Sequence, residues 1–188
     1  MHLLTARKLT VFRGNRLILN GISLLLRPGG ILLLRGANGT GKTSLLRALA
    51  GLTPIAAGEL LWNEQPALAD YSIHAGRIGW LGHLNAVKPA LTAAQQVPRA
   101  ALRLTGLSAF ADIPAGLLSA GQQRRLAIAR LAAIPKPLWM LDEPTTGLDG
   151  DATEGFLGLC RTHQRQGRMI IASTHTDLPL PDAETLTL

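Results

Sequence analysis

The sequence predicts an α/β fold in which a phosphate-binding loop connects a buried strand to a helix, and three observations support this prediction. Residues 36–43 match the pattern G-x-x-x-x-G-K-[ST], directly after the apolar run at residues 31–34. Short apolar strands then alternate with helical segments, as they do in a parallel sheet covered by helices. Before the loop, two segments rich in apolar residues predict antiparallel strands at the N-terminus.

The first part of the chain reads as strands separated by turns. A tight turn at residues 13–16 separates two apolar segments, and a second turn at residues 28–30 leads into the strand before the loop. The expected strands are residues 3–12, 17–26, 31–34, 59–62 and 77–81, and the expected helix after the loop is residues 44–49. Residues 63–76 are polar and loosely patterned.

Helical patterns follow in the middle of the chain. Thr92 and Gln95 match a capping box, which predicts a helix from there to about residue 104. Another helix is expected to begin at Ser119 or Ala120. The remaining expected elements are strands at residues 138–141 and 169–173, a helix at residues 151–166, and one last edge strand in the tail to residue 188.

Length and composition fit one globular domain. The chain has 188 residues, of which 47% are hydrophobic, and this is enough to build a buried core. We expect a single domain over residues 1–188. Its core would comprise residues 1–83 and 136–188, with a helical subdomain inserted at about residues 84–135.

Composition also limits the compartment and the partners. No apolar run approaches the roughly 20 residues of a membrane span, and charges within residues 1–8 argue against a signal peptide. Cys160 is the only cysteine, which excludes an internal disulfide and suits a small apolar role on the inward face of a helix. The net charge of +7 is spread along the chain, so nucleic acid, an anionic membrane surface and plain solvation all remain possible reasons for it.

The glycine-rich loop is a candidate site for a nucleoside triphosphate. Its glycines let backbone N–H groups turn toward phosphate oxygens, and the N-terminus of the next helix adds positive potential. We expect Lys42 to reach the β- and γ-phosphates and Thr43 to place its hydroxyl on Mg²⁺. The candidate nucleotide-binding residues here are Gly36, Ala37, Asn38, Gly39, Thr40, Gly41, Lys42, Thr43 and Ser44.

Two adjacent carboxylates follow the apolar strand at residues 138–141. A strand-end aspartate that faces a phosphate loop can hold Mg²⁺, which makes Asp142 a candidate metal ligand. The neighbouring Glu143 can direct an attacking water as a general base. Isolated acids at strand ends are usually caps or solvated groups, so this pair is informative because it follows a phosphate loop in an α/β pattern.

Four motifs follow one another along the chain as they do in the ATP-binding cassette (ABC) ATPases. The resemblance to this family covers nearly the whole chain. Besides the phosphate loop, residues 143–149 resemble the family's segment from the catalytic glutamate into the D-loop at Asp149. His175 follows the strand at residues 169–173 and resembles the switch histidine. The family's LSGGQ signature appears here as Leu118, Ser119, Ala120, Gly121 and Gln122, with alanine in place of the first glycine.

The resemblance implies an ATPase that works as a head-to-tail homodimer. In the family, the signature motif of one subunit completes the ATP site of the other, so two chains would hold two ATP molecules between them. Glu143 and His175 would orient the attacking water, and Lys42 would support the developing charge. The implied ligands are ATP and Mg²⁺, with Thr43 and Asp142 as the metal-binding residues.

The chain departs from the family's pattern at two positions. His83 takes the place of the glutamine that, in most members, senses Mg²⁺ and couples to the membrane subunit, although an imidazole can still bond to water. Arg13 takes the place of the aromatic residue that stacks on adenine, with Phe12 one step earlier. Because a guanidinium can also stack on a base, Arg13 is a candidate nucleotide-binding residue, and Phe12 is expected in the core.

Several longer matches resemble one subfamily, the cytochrome c biogenesis haem-exporter ATPases. These matches are residues 80–83, 91–93, 112–114, 118–125 and 129–131. The resemblance implies a peripheral subunit on the cytoplasmic face of the bacterial inner membrane, with integral membrane permease partners that handle haem. We do not expect this chain to bind haem itself, because His2, His74 and His163 show no paired spacing for an iron ligand and are expected on the surface.

Two alternative functions remain open from the sequence. The first is the ATPase subunit of an ABC transporter for another substrate, because substrate choice lies in membrane subunits. The second is a soluble ABC protein that acts on nucleic acid or ribosomes, which the positive charge would suit. Tandem cassettes or a long coiled-coil insertion would support this second class, and the sequence has neither, so no nucleic acid partner is expected.

Overall fold

The structure is a computed structural model that describes residues 2–176 and 178–188. Met1 and Asp177 lie outside the described residues, so the N-terminal stretch is described from His2 onward. The strands are β1 (Leu4–Arg13), β2 (Arg16–Leu26), β3 (Ile31–Arg35), β4 (Ala57–Trp62), β5 (Gln65–Pro66), β6 (Ile78–Leu81), β7 (Leu138–Asp142), β8 (Met169–Ser173) and β9 (Ala183–Thr187). The helices are α1 (Lys42–Leu49), α2 (Tyr71–Gly76), α3 (Ala93–Gln96), α4 (Arg99–Leu104), α5 (Ala120–Ala133) and α6 (Gly150–Arg165).

The N-terminal strands form an antiparallel sheet in the order β2-β1-β4-β5. A two-residue turn joins β1 to β2, and its first residue, Gly14, has φ 59°, which glycine adopts without a steric cost. Arg13 and Arg16 are directly paired across the base of this turn. The predicted antiparallel strands are therefore confirmed.

The second sheet is parallel throughout, in the order β6-β7-β8-β3-β9. Strands β7 and β8 are buried along their whole length, which explains why their sequences are continuous apolar runs rather than alternating ones. Parallel strands end at the same edge of a sheet, and ligands bind beyond that edge in open α/β folds. The phosphate loop follows β3, Glu143 follows β7, and His175 comes shortly after β8, so these predicted site residues are brought to one edge.

Three clusters of buried side chains hold the fold together. One lies between the antiparallel sheet, α1 and one face of the parallel sheet. A second packs α5 and α6 against the other face and contains Cys160, as predicted for that residue. Burial raises the pKa of the Cys160 thiol to about 12, so this thiol remains protonated and behaves as an apolar group. The third cluster joins α3, α4 and α5.

Two segments differ from the sequence-based expectation. The single helix expected from residue 92 to about 104 is two short helices, because α3 ends before Val97 and Pro98, and proline lacks the N–H that a continuing helix needs. The capping box of Thr92 and Gln95 is present as predicted. The polar stretch at residues 63–76 contains β5, a short 3₁₀ turn and α2, which Asp70 caps through the backbone N–H groups of Ser72 and Ile73.

The middle of the chain, which carries α3, α4 and most of α5, has its own buried cluster, but its status as an inserted subdomain stays a prediction. Within residues 2–176 and 178–188, no helix has both the length and the apolar character required to cross a bilayer.

Candidate functional site

The phosphate loop is a tight turn that only glycine fits at two positions. Gly36 has φ 144°, and a Cβ atom there would lie 2.6 Å from the backbone oxygen of Leu188. Gly41 has φ 108° at the N-cap of α1, and a Cβ there would lie 2.9 Å from the Leu19 side chain. The loop therefore packs closely against β2 while its backbone keeps a conformation that β-carbon-bearing residues rarely adopt.

Lys42 extends along the inside of this loop. Its Nζ donates hydrogen bonds to the carbonyl oxygens of Gly36 at 2.7 Å and Ala37 at 3.0 Å. The side chain is largely buried, and Lys42 is the first residue of α1. The ammonium group thus lies beside the N-terminus of a helix, where positive potential favours an anion such as a phosphate group.

Asp142, at the end of β7, is connected to the loop by hydrogen bonds. The Thr43 hydroxyl lies 3.1 and 3.0 Å from the two carboxylate oxygens of Asp142, and the Ser173 hydroxyl donates to Oδ1 at 2.5 Å. Hydroxyl and carboxylate oxygens are the ligands that Mg²⁺ prefers in proteins. Thr43 and Asp142 therefore fit a small divalent cation at the mouth of the loop, and Ser173 holds the carboxylate from behind.

Glu143 and His175 form a pair at the same edge of the sheet. His175 Nδ1 lies 2.7 Å from Glu143 Oε2, with the histidine side chain exposed and the glutamate side chain mostly covered. Glu143 has φ 47°, an unusual conformation for a residue with a side chain, which costs about 1–3 kcal/mol and is most often found at functional sites. One carboxylate oxygen is thus occupied by the imidazole, which leaves Oε1 as the candidate acceptor for a proton from water.

One cleft of about 1130 Å³ brings most of the predicted site residues together. Its wall includes the loop, both carboxylates, His175, His83 and Arg13. It also includes Arg16, Ile18 and Thr146, which were not predicted as site residues. The lining residues are Arg13, Arg16, Ile18, Gly36, Ala37, Asn38, Gly39, Gly41, Lys42, Thr43, Ser44, His83, Asp142, Glu143, Thr146 and His175. Thr40 does not line this cleft, and its hydroxyl instead donates to the carbonyl of Ala37 at 3.0 Å.

The signature residues lie elsewhere on this chain. Ser119 is the N-cap of α5 and forms a capping box with Gln122, whose backbone N–H donates to the Ser119 hydroxyl oxygen at 3.2 Å. Ser119 and Ala120 are exposed, and a Cβ atom on Gly121 would lie 3.0 Å from the carbonyl of Gly147. Asp149 caps α6 by accepting a hydrogen bond from the Ala152 N–H at 2.8 Å. None of these residues lines the cleft that holds the phosphate loop.

Arg124 is a site residue that the sequence reading missed. It lies on α5, is 3% exposed, and its guanidinium donates five hydrogen bonds. The acceptors are the backbone carbonyls of Gly82, Asp142, Glu143 and Pro144 and the side-chain oxygen of Asn85. Burial lowers the pKa of Arg124, which the nearby Asp142 carboxylate partly offsets. This side chain joins α5, which begins at the signature residues and is called the signature helix below, to the segment that carries both candidate carboxylates.

Three expectations about side-chain location were wrong. Phe12 is 45% exposed and lies outside the core, because it is near the end of the β1–β2 hairpin. His74 is fully buried, and its Nε2 donates to the carbonyl of Leu49 at 2.9 Å. His163 is 2% exposed and stacks on Trp139 with the ring centroids 3.8 Å apart. His2 is exposed, as expected.

Burial changes the protonation of these two histidines. It lowers the pKa of His163 to about 4, with a smaller contribution from the positive charge of Arg168. The pKa of His74 is also lowered, mainly by burial. Both rings are therefore neutral at pH 7 and serve as packing groups. Among the described residues, no group of three histidine, cysteine or acidic side chains has the arrangement of a metal centre.

The fold and the site together define an ABC-type ATPase domain. Its parallel sheet carries a phosphate loop after β3, a carboxylate pair at the end of β7 and a histidine after β8, while the signature residues at the start of α5 lie outside the cleft. Two solved structures share this fold. The ATP-binding subunit of an ABC transporter aligns with a TM-score of 0.83 at 21% identity, over 92% of this chain and 79% of that one. A putative ABC transporter ATP-binding protein from Pyrococcus furiosus aligns with a TM-score of 0.80 at 20% identity, over 99% and 97% of the two chains.

Sequence comparison defines the family more narrowly. The ABC transporter family profile matches residues 19–146. The cytochrome c biogenesis ATP-binding export protein CcmA of Rhodospirillum rubrum is 46% identical over 94% of this chain and 81% of its own length. The protein of the same name from Paracoccus denitrificans is 41% identical over 100% of this chain and 90% of its own length. The chain belongs to the ABC transporter family and, within it, to the cytochrome c biogenesis ATP-binding export proteins.

Proposed function

We propose that this chain is the ATP-hydrolysing subunit of a membrane complex for cytochrome c maturation, in which closure of an ATP-bound homodimer drives the transfer or release of haem. The observation that carries the ATPase part is the meeting of Lys42, Asp142 and the Glu143–His175 pair in one cleft. The role in cytochrome c maturation rests on relatives that are 37–46% identical and bear that description.

The ATP triphosphate would bind in the phosphate loop. The loop N–H groups and Lys42 Nζ would meet its β- and γ-phosphate oxygens, because they surround the N-terminus of α1. Thr43 and Asp142 would hold Mg²⁺, since their oxygens already converge within 3.1 Å of one another. When bound, Mg²⁺ would supply positive charge that offsets the negative charge of the phosphate groups during transfer of the terminal phosphoryl group to water.

Glu143 is the proposed general base for the attacking water. Its Oε2 is held by His175 at 2.7 Å, so Oε1 can accept a water proton while the carboxylate stays oriented. His175 is mostly exposed, which places its ring at the open side of the cleft, where a second subunit can approach. Its role is to hold the base and the terminal phosphate in a shared hydrogen-bond network.

The second subunit of a homodimer would complete the site. Ser119 is exposed, and its hydroxyl oxygen accepts a hydrogen bond from Gln122, so its proton is free for an anionic oxygen. The first turn of α5 contains no acidic residue, so its N-terminus keeps positive potential for a phosphate. These residues lie outside this chain's own nucleotide cleft, which supports their use in the partner's site.

Membrane permease subunits are the proposed partners, and the chain would sit peripherally on the cytoplasmic face of the inner membrane. His83 lines the nucleotide cleft and also a second cleft of about 950 Å³, whose wall includes Trp80, Leu84 and Ile134. These three apolar side chains are exposed by 36%, 81% and 58% respectively, which is typical of a surface that another protein covers. We propose that His83 couples the binding of a permease subunit in this second cleft to the nucleotide site. No nucleic acid partner and no direct haem binding are proposed.

The proposal is tested in the source bacterium by deleting the gene and restoring it as wild type or as Glu143→Gln. We expect loss of covalently haem-bound c-type cytochromes in the deletion strain, rescue by the wild type only, and recovery of the chain from membranes with a multi-span partner. Normal c-type cytochromes in the deletion strain, together with wild-type ATPase activity in vitro, would favour the alternative of an ABC transporter for another substrate. ATPase activity that Glu143→Gln leaves intact would remove the proposed base.

A further inference from the structure

We propose that the edge of the parallel sheet opposite the nucleotide cleft binds anionic lipid headgroups directly, through a row of five cationic side chains. We call this row the basic edge, and its residues are Arg27, Arg77, Lys136, Arg165 and Arg168. This contact rests on the proposed function, in which the chain works at the membrane, and adds a link to the bilayer that does not pass through the permease.

The topology of the sheet places these cations along one edge. Parallel strands all begin at the same edge, which here is the one opposite the phosphate loop. Arg77 is the residue before β6, Lys136 lies just before β7, and Arg168 is the residue before β8. Arg27 is in the turn before β3, and Arg165 is the last residue of α6. The strand order β6-β7-β8-β3 therefore spreads the cations from one side of the sheet towards the other.

The starts of β6, β7 and β8 are joined by hydrogen bonds, so the cations in front of them are neighbours. Lys136 Nζ donates to the carbonyl oxygen of Gly76, the residue before Arg77, at 2.7 Å. The carbonyl of Pro137 accepts a hydrogen bond at 2.9 Å from the first residue of β8, which follows Arg168. The middle of the basic edge is thus one continuous surface.

The turn before β3 packs against the end of α6 and extends this surface. A Cβ atom on Gly29 would lie 3.4 Å from the carbonyl oxygen of Gln164. Because Arg27 is in that turn and Arg165 follows directly after Gln164, these two arginines lie on segments in contact.

The positive charge of the basic edge is not neutralised within the described part of the chain. None of the ion pairs among residues 2–176 and 178–188 includes any of the five cations. Arg77 lies over the ring of Trp62, 5.1 Å from its centroid, and Lys136 contacts a neutral carbonyl, so both keep their charge. The row ends at the far strand of the sheet, because Asp182 directly before β9 has the opposite charge.

Two buried histidines near the basic edge respond to this charge. Burial lowers the pKa of His74 and of His163, and the positive charges of Arg77 and Arg168, respectively, lower these pKa values further. The basic edge therefore creates a positive potential around it, and such a potential attracts anions from solution.

The shape of the basic edge fits a lipid surface better than a single small anion. A site for one anion needs donors that converge on it, whereas Arg27, Arg77, Arg165 and Arg168 line neither of the two clefts described above. Only Lys136 borders the second cleft. A row of separate cations on an exposed edge matches a bilayer, which presents many anionic headgroups side by side.

Two further features favour lipid over an acidic protein or a nucleic acid. Ile73, one helical turn before Arg77, is 56% exposed, and Ile134, close before Lys136, is 58% exposed. Exposed apolar side chains next to cations are typical of surfaces that enter the interface of a bilayer. Ile134 and Lys136 also line the second cleft, so the basic edge is continuous with the surface proposed for the permease.

The test measures how the full chain, without any permease, co-sediments with vesicles of phosphatidylcholine alone or of phosphatidylcholine mixed with phosphatidylglycerol, at low and high salt. A DNA duplex serves as a second polyanion. The basic-edge variant removes three cations that form no ion pair and line neither cleft, and it combines Arg27→Gln, Arg165→Gln and Arg168→Gln. The matched control removes three exposed cations elsewhere on the chain and combines Lys8→Gln, Lys88→Gln and Arg103→Gln. Melting temperatures and lipid-free ATPase rates show whether both variants are folded.

We expect the wild type to bind the vesicles that contain phosphatidylglycerol, to ignore those of phosphatidylcholine alone, and to be released as salt is raised. One cation close to an anionic bilayer contributes about 1 kcal/mol, which is roughly fivefold in affinity. The basic-edge variant should therefore bind the anionic vesicles at least about tenfold more weakly than the wild type. The control variant has the same net charge, but its affinity should fall less than about threefold, because its substitutions lie away from the basic edge.

Three results would overturn the lipid contact while leaving the proposed function intact. The first is a wild type that does not distinguish anionic from neutral vesicles. The second is an equal loss of binding in both variants, which would make net charge alone responsible. The third is tight binding of the DNA duplex at a salt concentration that releases the vesicles, with that binding lost only in the basic-edge variant. Failure of the proposed function would appear separately, as a wild-type chain without ATPase activity in the same samples.

Discussion

The guanidinium of Arg124 donates a 2.7 Å hydrogen bond to the backbone carbonyl of Glu143. On its other side, the Glu143 backbone N–H donates to Ser173, at 3.1 Å to the carbonyl oxygen and 3.2 Å to the hydroxyl oxygen. The residue between these contacts has φ 47°, so its strained backbone is held from both directions. The signature helix and β8 together fix the proposed base.

Replacing Arg124 should therefore impair catalysis more than nucleotide binding. We expect Arg124→Lys to lower kcat at least tenfold while ATP affinity changes less than about threefold, because Arg124 does not line the nucleotide cleft. Thermal unfolding should also show a loss of about 1–3 kcal/mol, since a lysine cannot satisfy all five of these acceptors.

The matched control for this variant is Arg125→Lys, at the next position of α5, where the side chain is partly exposed and points toward Gly106 instead. A purely structural role for Arg124 would lower stability and leave kcat unchanged at temperatures where the variant is folded. That outcome would contradict the positioning role.

Removing the Lys42 ammonium should weaken the phosphate loop. Nζ is held inside the loop by the carbonyls of Gly36 and Ala37, so its position is fixed before any phosphate arrives. Preorganised donors of this kind typically contribute 10²–10³ in rate, and we expect a loss of about that size in kcat/KM for Lys42→Ala. Steady-state ATPase assays beside the exposed control Lys88→Ala would check it, and comparable rates in the two variants would contradict the assignment.

Removing the hydroxyl of Ser173, which contacts Asp142, should weaken Mg²⁺ binding. Ser173 donates to Asp142 Oδ1 at 2.5 Å and so orients the carboxylate that faces Thr43. Loss of such a supporting contact usually costs about 10–100-fold in metal affinity or activity. We expect Ser173→Ala to raise the half-saturating Mg²⁺ concentration of the ATPase by at least about tenfold, and chelation to abolish wild-type activity. An unchanged Mg²⁺ titration, matching that of the exposed control Ser108→Ala, would exclude this role.

His163 should make the fold sensitive to acid. Burial lowers its pKa to about 4, from 6.5 for an exposed histidine. Between these values the unfolded chain binds a proton that the folded chain does not, so stability falls as pH decreases through this window. In His163→Phe, which keeps a ring against Trp139, we expect the melting temperature to fall less steeply from pH 7 to pH 4.5. Parallel curves for the wild type and the variant would contradict this explanation.

The features that the sequence could predict are those decided locally. The phosphate loop, the capping box at Thr92, the start of a helix at Ser119 or Ala120, and the buried strands all depend on residues close together in the chain. The break at Pro98 also has a local cause, because proline disfavours a continuing helix, although the apolar pattern on both sides of it is typical of one helix.

The features that the sequence did not reveal depend on distant partners. Four of the five acceptors of Arg124 are backbone carbonyls 18 to 42 residues away, and a backbone carbonyl is the same in every residue type, so no sequence motif marks it. His163 is buried because Trp139 on a neighbouring strand covers its ring, and His74 because it bonds to the end of α1. In each case tertiary packing reversed the usual preference of a polar side chain for the surface.

The central claim is that two copies of the chain hold ATP between them. Each copy would place its Ser119, at the start of α5, against the nucleotide cleft of the other. The most direct measurement is the mass of Glu143→Gln in solution with Mg²⁺–ATP, by light scattering after size exclusion. We predict a shift from the 20.0 kDa of one chain to twice that mass, and no shift when Ser119→Arg is added. A chain that binds ATP but keeps the mass of a monomer, or a dimer that Ser119→Arg leaves unchanged, would contradict the claim.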